Sequence, residues 1–126
     1  METVLLYQIK GTKTAALLKP VLLKLGIRVR IVEPEQYLQS IGFLAGNKAF
    51  AESPEAYDGA GFDEPMMVMA GFSERKLDLF LTEMRRKKVP LIALKAIVTT
   101  QNQAWNSLQL YRELKEEHEK MKSYRK

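Results

Sequence analysis

Lys95 stands inside the otherwise apolar run Leu91–Val98 (LIALKAIV). A lysine in such a run costs free energy unless its ammonium reaches water or a partner. The run leads into Thr99, Thr100, Gln101 and Asn102, and then to Trp105, the only tryptophan. Two further stretches, Gly11-Thr12-Lys13-Thr14 and Gly71-Phe72-Ser73, each open a helical pattern. Helix starts present free backbone N–H groups and attract anions. Together these residues predict a site for a small anionic ligand such as a phosphate, carboxylate or nucleotide. Its expected members are Gly11, Thr12, Lys13, Thr14, Gly71, Ser73, Lys95, Thr99, Thr100, Asn102 and Trp105. Each of them also reads as a cap, a turn or a core anchor with only local work to do.

Other chemistries find less support. A phosphate loop needs a glycine five positions before a Gly-Lys-Ser/Thr ending. Here Thr12 separates Gly11 from Lys13 and position 6 is leucine, so the pattern fails. No G-x-G-x-x-G occurs, and no cofactor is expected. The chain has no cysteine, which removes thiolate nucleophiles, thiolate metal sites and disulfides. Its one histidine, His118, sits among Glu116, Glu117 and Glu119 and reads as a surface residue. No His/Asp/Glu cluster has metal-ligand spacing, so no metal is expected. Asp58, Asp63 and Glu64 supply carboxylates for acid–base work if their segment folds over a site.

The elements that would hold these residues alternate. Thr3–Ile9 (TVLLYQI) reads as a strand buried on both faces. A helix follows, with Leu17, Leu18, Val21, Leu22 and Leu25 at helical spacing and Gly26 as its stop. Pro20 predicts a kink in it or a break into two pieces. Ile27–Val32 (IRVRIV) alternates apolar and basic, the pattern of an edge strand. Pro34 opens a short helix with Tyr37, Leu38 and Ile41 on its apolar face. Residues 47–65 are acidic and rich in Gly, Pro and aromatics, and read as a mobile loop. Met66–Ala70 is a second buried strand. Ser73 caps the helix after it, with Phe72 and Leu77 spaced as a hydrophobic staple. Arg85–Lys88 complements the negative end of that helix. Leu91–Val98 reads as a central strand. The last helix, over residues 103–122, is capped by Thr100 or Asn102 and partly projects.

This order predicts a single α/β domain over residues 1–126. About four mainly parallel strands in the order 2-1-3-4 carry helices on both faces; a ferredoxin-like α+β fold is the alternative. In such a sheet the site lies beyond the carboxyl ends of strands one and three. No internal repeat is visible.

The charge is uneven. Residues 1–33 carry six Lys/Arg and two Glu, residues 34–65 one Lys and six Asp/Glu, and residues 66–105 seven basic and three acidic side chains. The chain is basic overall, at +5. Arg28, Arg30, Arg85, Arg86, Lys87 and Lys88 allow weak RNA association, although nucleic acid is the less favoured partner. No run approaches the ~18 apolar residues of a membrane span, and the N-terminus does not read as a signal peptide. A cytoplasmic protein is expected. Leu108, Tyr111, Leu114, His118 and Met121 fall roughly in heptad register, which allows a homodimer through the last helix.

Gly71-Phe72-Ser73, Leu77-Asp78, Leu94-Lys95-Ala96, Thr99, Asn102, Trp105, Glu113-Leu114 and Glu117-His118 together resemble the bacterial domain of unknown function DUF3783 over residues 66 to about 118. The first half matches it only loosely. The family pattern often has proline where Thr100 stands, and this chain departs there. The resemblance implies a cytoplasmic bacterial protein with no assigned activity, and it gives weight to Lys95, Asn102 and Trp105 as a unit. The leading expectation is a non-enzymatic module binding a small anionic ligand or a protein partner at the strand ends. The alternatives are an enzyme on a small phosphorylated or carboxylated substrate, with Lys95 as electrostatic stabiliser, and the weak RNA binder.

Overall fold

The computed structural model describes residues 1–124. Two β-α-β units make the sheet. The first is β1 (Thr3–Tyr7), α1 (Lys13–Lys24) and β2 (Arg28–Val32); the second is β3 (Met66–Ala70), α3 (Glu74–Arg86) and β4 (Leu94–Ile97). Between them lie a 3-10 turn (Pro34–Gln36), the four-residue α2 (Ile41–Leu44) and a long strap to Pro65. A second 3-10 turn (Asn102–Ala104) and α4 (Ser107–Tyr124) complete the described chain.

The four strands stand in the order β2-β1-β3-β4, as expected. Each unit pairs its strands in parallel, but β1 and β3 meet antiparallel, with Leu5 opposite Val68. The two units therefore join head to tail, an arrangement that no sequence similarity between them announces. Helices cover both faces. Val4, Leu6, Met67 and Met69 point towards α1 and α3, where Leu18, Val21, Leu22, Phe80 and Met84 meet them. Leu5, Tyr7, Met66, Val68 and Leu94 point the other way, onto Tyr37, Ile41, Leu44, Phe62 and Leu110. β1 and β3 are buried throughout, because both faces and both edges are occupied.

Local chemistry explains most element ends. Thr12, Ser40 and Ser73 cap α1, α2 and α3 by accepting from Ala15, Phe43 and Lys76 backbone N–H. Asn106, not Thr100 or Asn102, caps α4, its Oδ1 accepting from Gln109 N–H at 2.9 Å. Gln8, at φ 59°, breaks β1 two residues before the expected end. α1 runs through Pro20 as one helix, instead of breaking there. Pro20 and Ala16, whose carbonyl loses its partner, are both exposed, so that carbonyl is open to solvent. The strand expected over residues 91–98 shrinks to Leu94–Ile97, with Leu91 84% exposed ahead of it.

The strap over residues 47–65, read as a mobile loop, has no regular structure but is fastened along its length. Gln39 donates to Ser53 O at 2.9 Å and accepts from Ser53 N–H at 2.7 Å. Tyr57 N–H donates to Glu35 O. Phe62 lies between Tyr37 and Tyr111, with ring centroids at 4.7 and 4.2 Å.

Candidate functional site

The antiparallel β1–β3 pair divides the residues expected to form one anion site. Strand β1 ends where β3 begins. Gly11, Thr12, Lys13 and Thr14 therefore lie at the Tyr7 end of the sheet, while Gly71 and Ser73 lie at the Thr3 end. Thr99, Thr100, Asn102 and Trp105 follow β4, which runs parallel to β3, and so share the Thr3 end. A five-residue strand, about 15 Å, separates the two groups. Among the described residues, the carboxyl ends of β1 and β3 therefore share no common crevice.

Local duties account for Thr12, Ser73, Thr99 and Asn102, while the side chains of Lys13 and Thr14 make no described hydrogen bond or ion pair. Thr12 Oγ1 accepts from Ala15 N–H and donates to Ile9 O. Asn102 is buried and wholly engaged: its Oδ1 accepts from Thr99 N–H at 2.8 Å, its Nδ2 donates to Ile97 O at 3.0 Å, and its own N–H donates to Thr99 Oγ1 at 3.1 Å. These bonds turn the chain from β4 into the second 3-10 turn. Trp105 is half-buried against the second core, and its carbonyl accepts from Ile41 N–H. No described buried side-chain polar atom lacks a partner.

Lys95 looked anomalous because its run read as a central strand. β4 is an edge strand, paired only to β3. Lys95 sits half-exposed on it, opposite Met67. An ammonium on an edge reaches water along its own stem and discourages pairing with another sheet.

Glu64 accepts from Tyr111 Oη at 2.6 Å and Lys115 Nζ at 2.7 Å. Those two hydrogen bonds, Lys115 first, hold its carboxyl below the ordinary range. In return the hydrogen bond to Glu64 pushes the Tyr111 phenol up to about 12. Glu64 is thus a latch between strap and α4, not a free acid–base group. On the same face burial drives the Tyr7 phenol up, and it shares a 2.8 Å hydrogen bond with the buried Ser107. Leu108, Tyr111 and Leu114, whose rough heptad register allows a homodimer, pack on the second core. His118 and Met121 continue that line beyond it, with Met121 55% exposed.

The basic residues considered for RNA do not converge either. Arg28 and Arg30 lie on β2, Arg28 at the Thr3 end. Arg85–Lys88 end α3, ahead of β4 and at the Tyr7 end of the opposite edge.

A different feature stands out. Beside β2 a hollow of about 310 Å³ opens between the strand and α1, lined by Leu6, Leu22, Ile27, Val29 and Ile31, with Lys19 at its margin. Its walls are nearly all carbon. Leu23, Val29 and Ile31 around it are 74%, 45% and 37% exposed. Among the described residues, no strand pairs with β2 on its outer side. The sequence holds half of the signal: IRVRIV reads as an edge strand with one apolar face. What it did not show is that α1 covers that face only in part.

Residues 65–121 match the family model of a domain of unknown function, DUF3783. The match takes in β3, α3, β4 and most of α4, and stops short of the α1–β2 hollow. No curated protein and no solved structure matches the chain.

Proposed function

We propose that this chain, whose residues 65–121 match the DUF3783 family model, is a non-enzymatic interaction module, with the α1–β2 hollow and the free β2 edge as its docking site for a protein partner. One observation carries the reading. Leu23, Val29 and Ile31 are exposed together around a single carbon-walled hollow next to a free strand edge. Single exposed hydrophobics are ordinary on a protein surface, whereas contiguous ones rimmed by polar groups mark interaction sites. The small-anion reading has less behind it, because its residues fall into two groups at opposite ends of the sheet. The enzymatic alternative loses Glu64 to its latch.

A photo-cross-linking side chain in place of Leu23 tests the reading in cells. An adduct to another polypeptide is expected, and Ile31→Glu should abolish it. The same probe at Leu79, 47% exposed on α3, serves as the control. Equal adducts from both positions would remove the proposal.

A further inference from the structure

Residues 10–32, which build α1, β2 and the hollow between them, contain Lys10, Lys13, Lys19, Lys24, Arg28 and Arg30 and no acidic residue. Lys24 pairs with Glu83 across to α3, and Lys10 reaches Glu33. Among the described residues, no carboxylate lies within 4.0 Å of Lys13, Lys19, Arg28 or Arg30. Lys19 thus lines the apolar hollow, and Arg28 and Arg30 add unopposed positive charge along the same strand.

The free strand adds a direction to that charge. Arg28 N–H donates to Glu2 O at 3.0 Å, so Arg28 directs its backbone towards β1. In a parallel ladder this role alternates along the strand, and Arg30 and Val32 share it. The N–H and C=O groups of Val29 and Ile31 therefore face outward. Their side chains lie on the α1 face, with the hollow, because Ile31 pairs with Leu6 of the first core. Arg28 and Arg30 project from the opposite face.

Resting on the reading of this edge as a partner site, we propose that its occupant is an extended protein segment alternating apolar and acidic residues, which adds to β2 as a fifth strand. Main-chain hydrogen bonds to Val29 and Ile31 hold the added strand, and side chains at alternate positions select it. Its apolar side chains enter the hollow on the α1 face. Its carboxylates meet Arg28 and Arg30 on the other. A second copy of β2 is a poor occupant: antiparallel pairing centred on Arg30 sets Arg30 against Arg30, and like charges directly opposite destabilise a sheet. A phosphate backbone or an anionic bilayer would satisfy the charge but not the outward N–H and C=O groups.

The test uses the full chain, labelled for amide spectroscopy. It is titrated with peptides of about eight residues, a usual strand length. One alternates valine and aspartate, one has the same composition in two blocks, and one alternates valine and lysine. A single-stranded RNA oligonucleotide and phosphatidylserine vesicles complete the set. The alternating acidic peptide should bind alone, shift the Val29 and Ile31 amides and slow their exchange. The double variant Arg28→Glu/Arg30→Glu should keep the wild-type melting temperature, weaken that peptide about tenfold and favour the valine–lysine peptide instead. Equal binding of the blocked peptide, or the same shifts from RNA or vesicles without the peptide, overturns strand addition. So does peptide binding that leaves the Val29 and Ile31 amides untouched. If no peptide binds while Leu23 still cross-links specifically, strand addition falls and the partner site stands; if both fail, both fall.

Discussion

The ring of Phe62 lies flat on that of Tyr111, with centroids 4.2 Å apart and planes 3° from parallel. This contact joins the irregular strap to α4 and makes an acidic, Pro- and Gly-rich segment part of the second core. Phe62 is 6% exposed, so truncation leaves a cavity between Tyr37 and Tyr111. Phe62→Ala should cost about 3–5 kcal/mol. It should also open the strap to protease between Asn47 and Pro65. Urea unfolding and limited proteolysis check this; a loss below about 1 kcal/mol, typical of a surface change, would show that the strap is not core.

Two carboxylates make stability depend on acidity. Glu83 is buried on α3 and accepts from Lys24 at 3.2 Å, with Arg86 at 3.4 Å. The hydrogen bond from Lys24, followed by the charge of Arg86, holds its pKa below the 4.5 of free glutamate. Glu64 is lowered too, by Lys115 and Tyr111. A carboxyl whose pKa falls on folding contributes stability that is complete above its unfolded pKa and disappears as pH falls through the folded one. The urea midpoint should therefore be level above about pH 5 and drop below about pH 4. Glu83→Gln should lower the midpoint at neutral pH and flatten the acid limb. An unchanged acid limb in that variant would assign the pH dependence elsewhere.

Asn102 and Lys95 were grouped by sequence and separate in the structure. Asn102→Ala strands Thr99 N–H and Ile97 O, both of which now bond its side chain. Losing these two part-buried hydrogen bonds, each worth about 0.5–1.5 kcal/mol net, should cost about 1–3 kcal/mol. Lys95→Ala removes a half-exposed side chain with no described hydrogen bond or ion pair, and should stay within about 0.5 kcal/mol. Denaturant midpoints of the two variants decide the matter. A large loss from Lys95→Ala together with a small one from Asn102→Ala would reverse the assignment.

How far the sequence could be read depended on whether the signal was local. The Ser73 cap on Lys76 N–H, the alternation in IRVRIV and the buried runs of β1 and β3 were legible because near neighbours create them, and the strand order followed from strand–helix alternation and right-handed crossovers. The direction of β3 against β1 was not. It depends on how the 33 residues between Val32 and Met66 cross the sheet, and strand composition is the same either way. That one undetermined direction carried the predicted site with it. Lys95 followed the same logic, since an apolar run next to an edge looks like a central strand until its neighbours are counted. The α1–β2 hollow is a gap between elements, which no periodicity encodes.

Helices α1 and α3 end in the same hydrogen-bonded motif with different residues. Past α1, Ile27 N–H donates to Leu22 O and Gly26 N–H to Leu23 O, with Gly26 at φ 66°. Past α3, Val89 N–H donates to Met84 O and Lys88 N–H to Arg85 O, with Lys88 at φ 58°. The left-handed position suits glycine, which has no Cβ to crowd the backbone; another L-residue pays about 1–2 kcal/mol there. Glycine's greater freedom in the unfolded chain offsets part of that gain. Lys88 is exposed and makes no described side-chain hydrogen bond or ion pair, so its removal loses little else. Lys88→Gly should raise stability by about 0.5–1 kcal/mol, while Gly26→Lys should lower it by about 1 kcal/mol or more. Thermal melts of the two variants against the parent chain provide the check. A destabilised Lys88→Gly would mean that the lysine side chain supports the α3 terminus in some other way.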